Sequence, residues 1–396
     1  MRKNVKQQLA LRVLSTAALM AMVSSIATAA FADTYDLNKG SVTVETKEDG
    51  ATYVTQLDNT QKDGYARNDK DDILHDYQDK TGVTITSGGK KTENTITVDT
   101  AKDQTTDVTL QDVNIQKDQW SSGSAAMTIK GEGDTEIELN GDNTLISGNQ
   151  HAGLEKADDV SHGSLTIKDD LNNDNRTEKE KDESGYSTGG DTGTLKAAGG
   201  YDGAGIGGRK KKDGEESDAC ASTSDITITG GQIKAGSLIE TNKEYPQTEQ
   251  GGAGIGGATG SGNATNITIT GNADVSAAGG YHAAGIGGGE FGNATNITIS
   301  GNAKVTATGS GSGGAGIGGG ASCGGSVEIS GNAKVTAVGA NGSAGIGTGY
   351  HNAWVKPDRA DLNVTISENA DVTAVGSYEG AAIGNGGYCW QGKTTI

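Results

Sequence analysis

Aromatic residues make up only 4% of this sequence, and phenylalanine occurs twice. Phe31 belongs to an N-terminal leader and Phe291 to a glycine-rich stretch, so neither lies on a core strand. That scarcity excludes a compact globular core built on large rings. Basic residues are also in deficit: 32 Lys and Arg stand against 51 Asp and Glu, for a formal charge of −19. Such a field repels nucleic acid and anionic lipid, and it works against polyanionic sugars unless calcium bridges them. Beyond the leader no stretch is apolar enough to span a bilayer, which argues against membrane insertion of the mature chain. What the chain does have is glycine, 65 residues of it. Glycine without a collagen period can signal disorder, but here it is tied to a repeat.

The leader comes first. Arg2, Lys3, Lys6 and Arg12 form a basic head, Val13 to Ile26 is apolar, and Ala30-Phe31-Ala32 places small residues where a signal peptidase reads. A cleaved signal peptide over 1–32 is expected, with a secreted or cell-surface mature chain starting at Asp33.

From about residue 201 the phrase Ala-Gly-Ile-Gly recurs, with its isoleucine at 206, 255, 286, 317 and 346, and as Ala-Ala-Ile-Gly at Ile383. Between these phrases run alternating segments such as Ile226-Thr-Ile228-Thr, Ile267-Thr-Ile269-Thr and Val364-Thr-Ile366-Ser. Alternation buries one face and wets the other. A turn and a second strand follow, as in Val275-Ser-Ala277 and Val305-Thr-Ala307. One such unit cannot bury its apolar face alone, so units must stack. The fold class is all-β: a parallel β-helix, or solenoid, with loop insertions. Small inward residues such as Ala277, Ala307 and Ala337 suit its narrow interior. Asn272, Asn302, Asn332 and Asn369 take the same turn in four successive units, which predicts an asparagine ladder from coil to coil. Asn263, Asn266, Asn293 and Asn296 stand in glycosylation-like triplets and are read as strand starts instead.

Four segments follow from this pattern. Residues 1–32 are the signal peptide, 33–80 a polar N-terminal cap, 81–200 irregular coils with a charged loop at 169–192, and 201–396 regular repeats. Lys393-Thr-Thr-Ile396 resembles the start of another strand, which predicts truncation at the C-terminus. The Arg209-Lys-Lys-Lys212 run reads as a solvated loop, since Glu215, Glu216 and Asp218 follow it. Cys220, Cys323 and Cys389 fall after the Gly-Ile-Gly corner, three and two coils apart. At the strand spacing that is roughly 14 and 10 Å, beyond disulfide reach without bending.

The Ala-Gly-Ile-Gly-Gly phrases, the Ile-Thr-Ile-Thr-Gly strands, and Glu138-Leu-Asn-Gly-Asp-Asn-Thr-Leu145 followed by His151-Ala-Gly-Leu-Glu155 resemble a family of secreted repeat proteins from Gram-positive gut bacteria. These AGIGG-repeat proteins are labelled carbohydrate-binding-domain proteins. The resemblance covers roughly 34–396 and implies a right-handed β-helix. A distantly similar group binds plant cell-wall polysaccharide with calcium, but none of its acidic motifs matches here residue by residue, so no metal site is carried over.

Catalysis finds little support in the residues. Asp71-Asp72, Asp158-Asp159 and Asp169-Asp170 are paired acids with His75, His151 and His162 not far away, yet none has a catalytic spacing. No catalytic residue is assigned and the protein is read as a non-enzyme. Asp170-Leu-Asn172-Asn-Asp174 imitates half a calcium loop but lacks its glycine and closing glutamate. No cofactor is expected beyond weak calcium binding among loop acids. The corner aromatics point elsewhere. Tyr201, Tyr281 and Tyr378 precede the corner phrase, while Phe291, Tyr350 and Tyr388 follow it, with Trp354 and Trp390 close behind. Rings on wet loops can stack on sugars, or they can cover the corner backbone. The expected function is an extracellular, non-catalytic binding or adhesion module whose partner is a polysaccharide or a host or cell-wall glycan. The alternative is a structural stalk displaying a distal module, and a lyase or hydrolase ranks behind both.

Overall fold

The computed structural model describes residues 33–57, 73–79, 82–118, 123–170, 192–210, 218–236, 251–311, 313–321, 324–350, 362–387 and 393–395. Apart from the single 3₁₀ turn Asp218–Cys220, the elements in these stretches are strands. They fall into three sheets of eleven, eight and twelve strands, here called sheets 1, 2 and 3. Pairing is parallel throughout sheets 1 and 2 and through all the coils of sheet 3, as in a right-handed parallel β-helix. Each regular coil runs from a sheet 1 strand through a tight turn to sheet 2. It then passes a corner to a two-residue strand of sheet 3, and a second corner returns it to sheet 1.

The repeat explains the register. Ile226, Ile267, Ile297, Val327 and Val364 stack in one inward column of sheet 1. Ile206, Ile255, Ile286, Ile317, Ile346 and Ile383 form the column of sheet 3. Sheet 2 adds Ala235, Ala277, Ala307, Ala337 and Ala374 in line. In the strand Lys304–Ser310 burial alternates strictly, with Val305 and Ala307 inside and Thr306 and Thr308 outside. Removing an isoleucine side chain from water contributes roughly 1.5–3 kcal/mol, and here each one packs on its copy above and below. Stacking like on like makes a continuous core without large rings.

The N-terminal end differs from the expected cap over 33–80. The strand Asp33–Asp36 already pairs with Val83–Thr86 in sheet 1, and Val42–Thr46 pairs with Ile96–Thr100 in sheet 3. These are coil strands, not a separate cap. The cap itself is narrower: Thr52–Leu57 and Ile73–Asp79 turn antiparallel onto Val42–Thr46 and cover the outer edge of sheet 3. An antiparallel hairpin breaks the repeat and so terminates an edge that would otherwise accept further strands. The strand Leu165–Lys168 ends where the charged loop over 169–192 is expected to begin, and the first residue of that loop, Asp169, is buried and accepts from the backbone N–H of Gly193 at 3.1 Å.

Candidate functional site

The two corners flanking sheet 3 carry the aromatic residues. Because the sheet 3 strand of a regular coil is only two residues long, both corners lie along one side of the solenoid. Tyr201, Tyr281 and Tyr378 occupy the corner from sheet 2, each five residues before a stacked isoleucine. Phe291 and Tyr350 occupy the corner toward sheet 1. Trp354, Tyr388 and Trp390 lie outside the described residues, as do Cys323 and Cys389.

The rings differ in what they touch. The Tyr281 ring lies 4.0 Å from the His282 ring, centroid to centroid, and His282 lies 5.9 Å from Phe291. A methyl group on Gly311, in the next coil, would come within 2.5 Å of Tyr281 Cδ2, so the ring rests on that glycine turn. Tyr350 behaves likewise, since a methyl on Gly342 would sit 2.3 Å from its Cδ2. Lys210 Nζ stands 5.6 Å from the centre of the Tyr201 ring. Tyr378 is the exception. It occupies the same position as Tyr201 and Tyr281, but its coil carries the last described strand of sheet 2, so among the described residues no coil lies over it and it is 93% exposed.

Polar side-chain pairs run across sheet 3, from corner to corner in Lys210–Asp202 and His282–Glu290 and from corner to strand in His151–Glu155. His151 Nδ1 meets Glu155 Oε2 at 2.6 Å, Lys210 Nζ meets Asp202 Oδ2 at 2.5 Å, and His282 Nδ1 meets Glu290 Oε1 at 3.2 Å. Asp202 also accepts from Thr259 Oγ1 of the next coil at 3.1 Å. Asp202, His282 and Glu290 were not singled out in the sequence. Their signal is positional, one group just before and one just after the Gly-Ile-Gly phrase. Arg209 pairs with Asp159 and Lys210 with Asp202, which corrects the solvated reading of the basic run at its first two residues. Lys211 and Lys212 lie outside the described residues.

The asparagine column forms bonds along its length. Asn302, Asn332 and Asn369 each donate from Nδ2 to Oδ1 of the preceding asparagine, at 3.3, 3.2 and 3.3 Å. A second ladder runs at the start of sheet 1 strands. Asn296 donates to Asn266 at 3.1 Å and Asn266 to Asp225 at 2.8 Å. All three residues hold positive φ, of 55°, 54° and 55°. Asn263 Oδ1 accepts from the backbone of Asn293, whose own Oδ1 accepts from Gly324. The glycosylation-like triplets thus serve coil-to-coil bonding.

Of the acid pairs, Asp158, Asp159 and Asp169 are held by local contacts. Asp158 accepts from Ser224 Oγ at 2.9 Å, and burial pushes its carboxyl above the usual range. The pair Asp71-Asp72 lies outside the described residues. One cluster was not legible in the sequence: Asp107 and Glu136 stand in register on the outside of sheet 1, and Lys168 pairs with Glu136. Partial burial, then the Glu136 charge, pushes the Asp107 carboxyl up. Among the described residues no three His, Cys, Asp or Glu side chains gather as they would around a metal ion.

Residues 267–290, 297–321 and 327–350 match a family model described as beta helix repeat, and each match starts at the first isoleucine or valine of a sheet 1 strand. The chain is a β-helix repeat protein. The match covers three regular coils and speaks to their architecture, and the unmatched coils on either side continue the same three sheets. No curated protein and no solved structure matches the chain.

Proposed function

We propose that this β-helix repeat protein is a non-catalytic binding or adhesion module that works outside the cell and takes a carbohydrate chain along its sheet 3 side. The observation that carries the reading is a ring repeated at one corner position: Tyr201, Tyr281 and Tyr378 each stand five residues before a stacked isoleucine of sheet 3. With coils stacked at ~4.8 Å, Tyr201 and Tyr281 stand two coils or roughly 10 Å apart, and Tyr378 three coils or roughly 14 Å further. A flat ring with a hydroxyl at its edge fits the apolar face and hydroxyl rim of a sugar. The neighbouring Glu290 and Lys210 supply polar contacts. The negative charge of the chain favours a neutral glycan over a polyanionic one.

The test is retention of the chain 33–396 on plant, mucin and cell-wall glycans, in affinity gels and on arrays, with and without calcium. A neutral polysaccharide should retain the protein, and Tyr378→Ala should weaken binding at least about tenfold, the loss of a stacking contact of ~1.4 kcal/mol. Absence of retention on every glycan class, with or without calcium, overturns the proposal.

A second reading, a structural stalk that displays another module, draws on different contacts. Tyr281 over Gly311 and Tyr350 against Gly342 use their rings to cover corner backbone. On that reading Tyr281→Ala lowers the melting temperature while no glycan binding exists to be lost.

A further inference from the structure

The inward column of sheet 3 at the N-terminal end is aliphatic. Val54, Val44, Val98 and Ile129 lie in register and are all fully buried. One coil later, Leu154 and Glu155 pair with Met127 and Thr128, which brings Lys156 to the place beside Ile129. In the coil after that the position belongs to Gly208. Lys156 has 0% exposure, and among the described residues its Nζ has no hydrogen-bond partner. A lysine therefore occupies a hydrocarbon column at the step from five-residue to two-residue strands in sheet 3.

The column two residues further along the strands is polar, and none of its groups bonds to Lys156 Nζ. Thr52, Thr46, Thr106, Thr100 and Thr135 link their hydroxyls in a chain, at 3.0, 2.6, 2.8 and 3.3 Å. Ser161 extends the Thr46–Thr100–Gly131 column into the lysine's own coil, and its Oγ is likewise buried without a hydrogen-bond partner among the described residues. Three carboxylates come near enough to act on Lys156 through their charge, Asp158, Asp225 and Asp134. Each is held by another group: Ser224 for Asp158, Asn266 for Asp225, and Ser164 for Asp134. The remaining titratable groups nearby are engaged with each other, Glu155 with His151 and Asp159 with Arg209. An ammonium buried without a partner is costly enough that the group gives up its proton instead.

We infer that Lys156 sits in the core as a neutral amine, and that protonating it loosens the stack here, making this coil a proton-operated seam between the irregular and the regular parts of the solenoid. The direction agrees: burial lowers the lysine's proton affinity, and the three aspartates only partly oppose it. The sign of the pH effect follows. Between the lowered native value and the ordinary lysine value, the opened chain carries a proton that the closed one does not. Stability of the seam therefore rises with pH across that window and is flat below it. Asp158, raised by burial, gives the opposite slope, but from the ordinary carboxylate value upward.

Hydrogen exchange of the full chain, followed by mass spectrometry from pH 6 to 10.5 and corrected for intrinsic rates, tests this. Within the window, protection of 127–131 and 206–208 should rise about tenfold per pH unit. Lys156→Met should flatten that profile and protect the same segments more strongly at pH 6, while Asp158→Asn leaves the alkaline slope in place. A flat profile in the parent, or an unchanged slope in Lys156→Met, overturns the inference. If Lys156→Met folds poorly, a ¹⁵N-lysine NMR titration of the parent decides. An Nζ that loses its proton below all other lysines supports the seam, and one charged to the ordinary lysine value refutes it.

Discussion

At Gly287 the backbone runs with φ of +131°, and a methyl group there would lie 2.1 Å from the carbonyl oxygen of Gly318 in the next coil. Both features bar any side chain, the first by conformation and the second by the close approach of stacked corners. Gly256 repeats them, with φ of +140° and a 1.9 Å approach to Gly287. The glycine of each Ile-Gly strand is thus fixed by stacking, which is why it survives in coil after coil of one sequence. Gly287→Ala should cost at least about 2 kcal/mol, from strained φ and displaced coils together. The shift of its urea midpoint against the parent measures this. An unshifted midpoint would mean that the corner relaxes freely.

On the scale of strands and turns, the alternating segments of sheets 1 and 2 were readable because both sheets have one wet face. Ile267-Thr-Ile269 and Val305-Thr-Ala307 announce their inward residues directly. The strands Val42–Thr46 and Thr52–Leu57 alternate too, but charged neighbours hid them, and their partners lie in other coils or across a hairpin. The asparagine turn shows what one element contributes to its neighbours. Asn302 both donates to Asn272 and accepts from Asn332. Since all three are exposed, water competes, and Asn302→Ala should cost only about 1 kcal/mol. Asn302→Ala and Asn332→Ala share a bond, so a double-mutant cycle on their unfolding free energies should fall short of additivity. Full additivity would show that the ladder is geometry without energy.

For the whole molecule the open question is whether a surface this regular does chemistry. The carboxyl pair Asp107 and Glu136, with Lys168, sits on the open outer face of sheet 1. Turnover of a glycan needs two carboxyls placed on either side of the scissile bond. Here the two stand side by side on adjacent strands of one sheet face, ~4.8 Å apart at the backbone, and not across a groove. Incubation with pectin or xylan and calcium should release neither unsaturated products nor reducing ends. Turnover that Asp107→Asn abolishes would overturn the non-catalytic reading and place the site on sheet 1.

By itself the sequence determined the architecture, because a solenoid's core is built from neighbours one repeat away, and so the period that orders the chain also orders its contacts. The inward columns, the asparagine ladder and the glycine corners were all legible on that account. What only the tertiary structure decided are the contacts that the period does not reach. Asp107 meets Glu136 across irregular coils of unequal length, the antiparallel strands Thr52–Leu57 and Ile73–Asp79 cover the outer edge of sheet 3, and Lys156 takes a hydrocarbon position because the coils on either side differ in strand length. The fate of the aromatic rings belongs to the same class. That Tyr281 rests on Gly311 depends on what the next coil places above it.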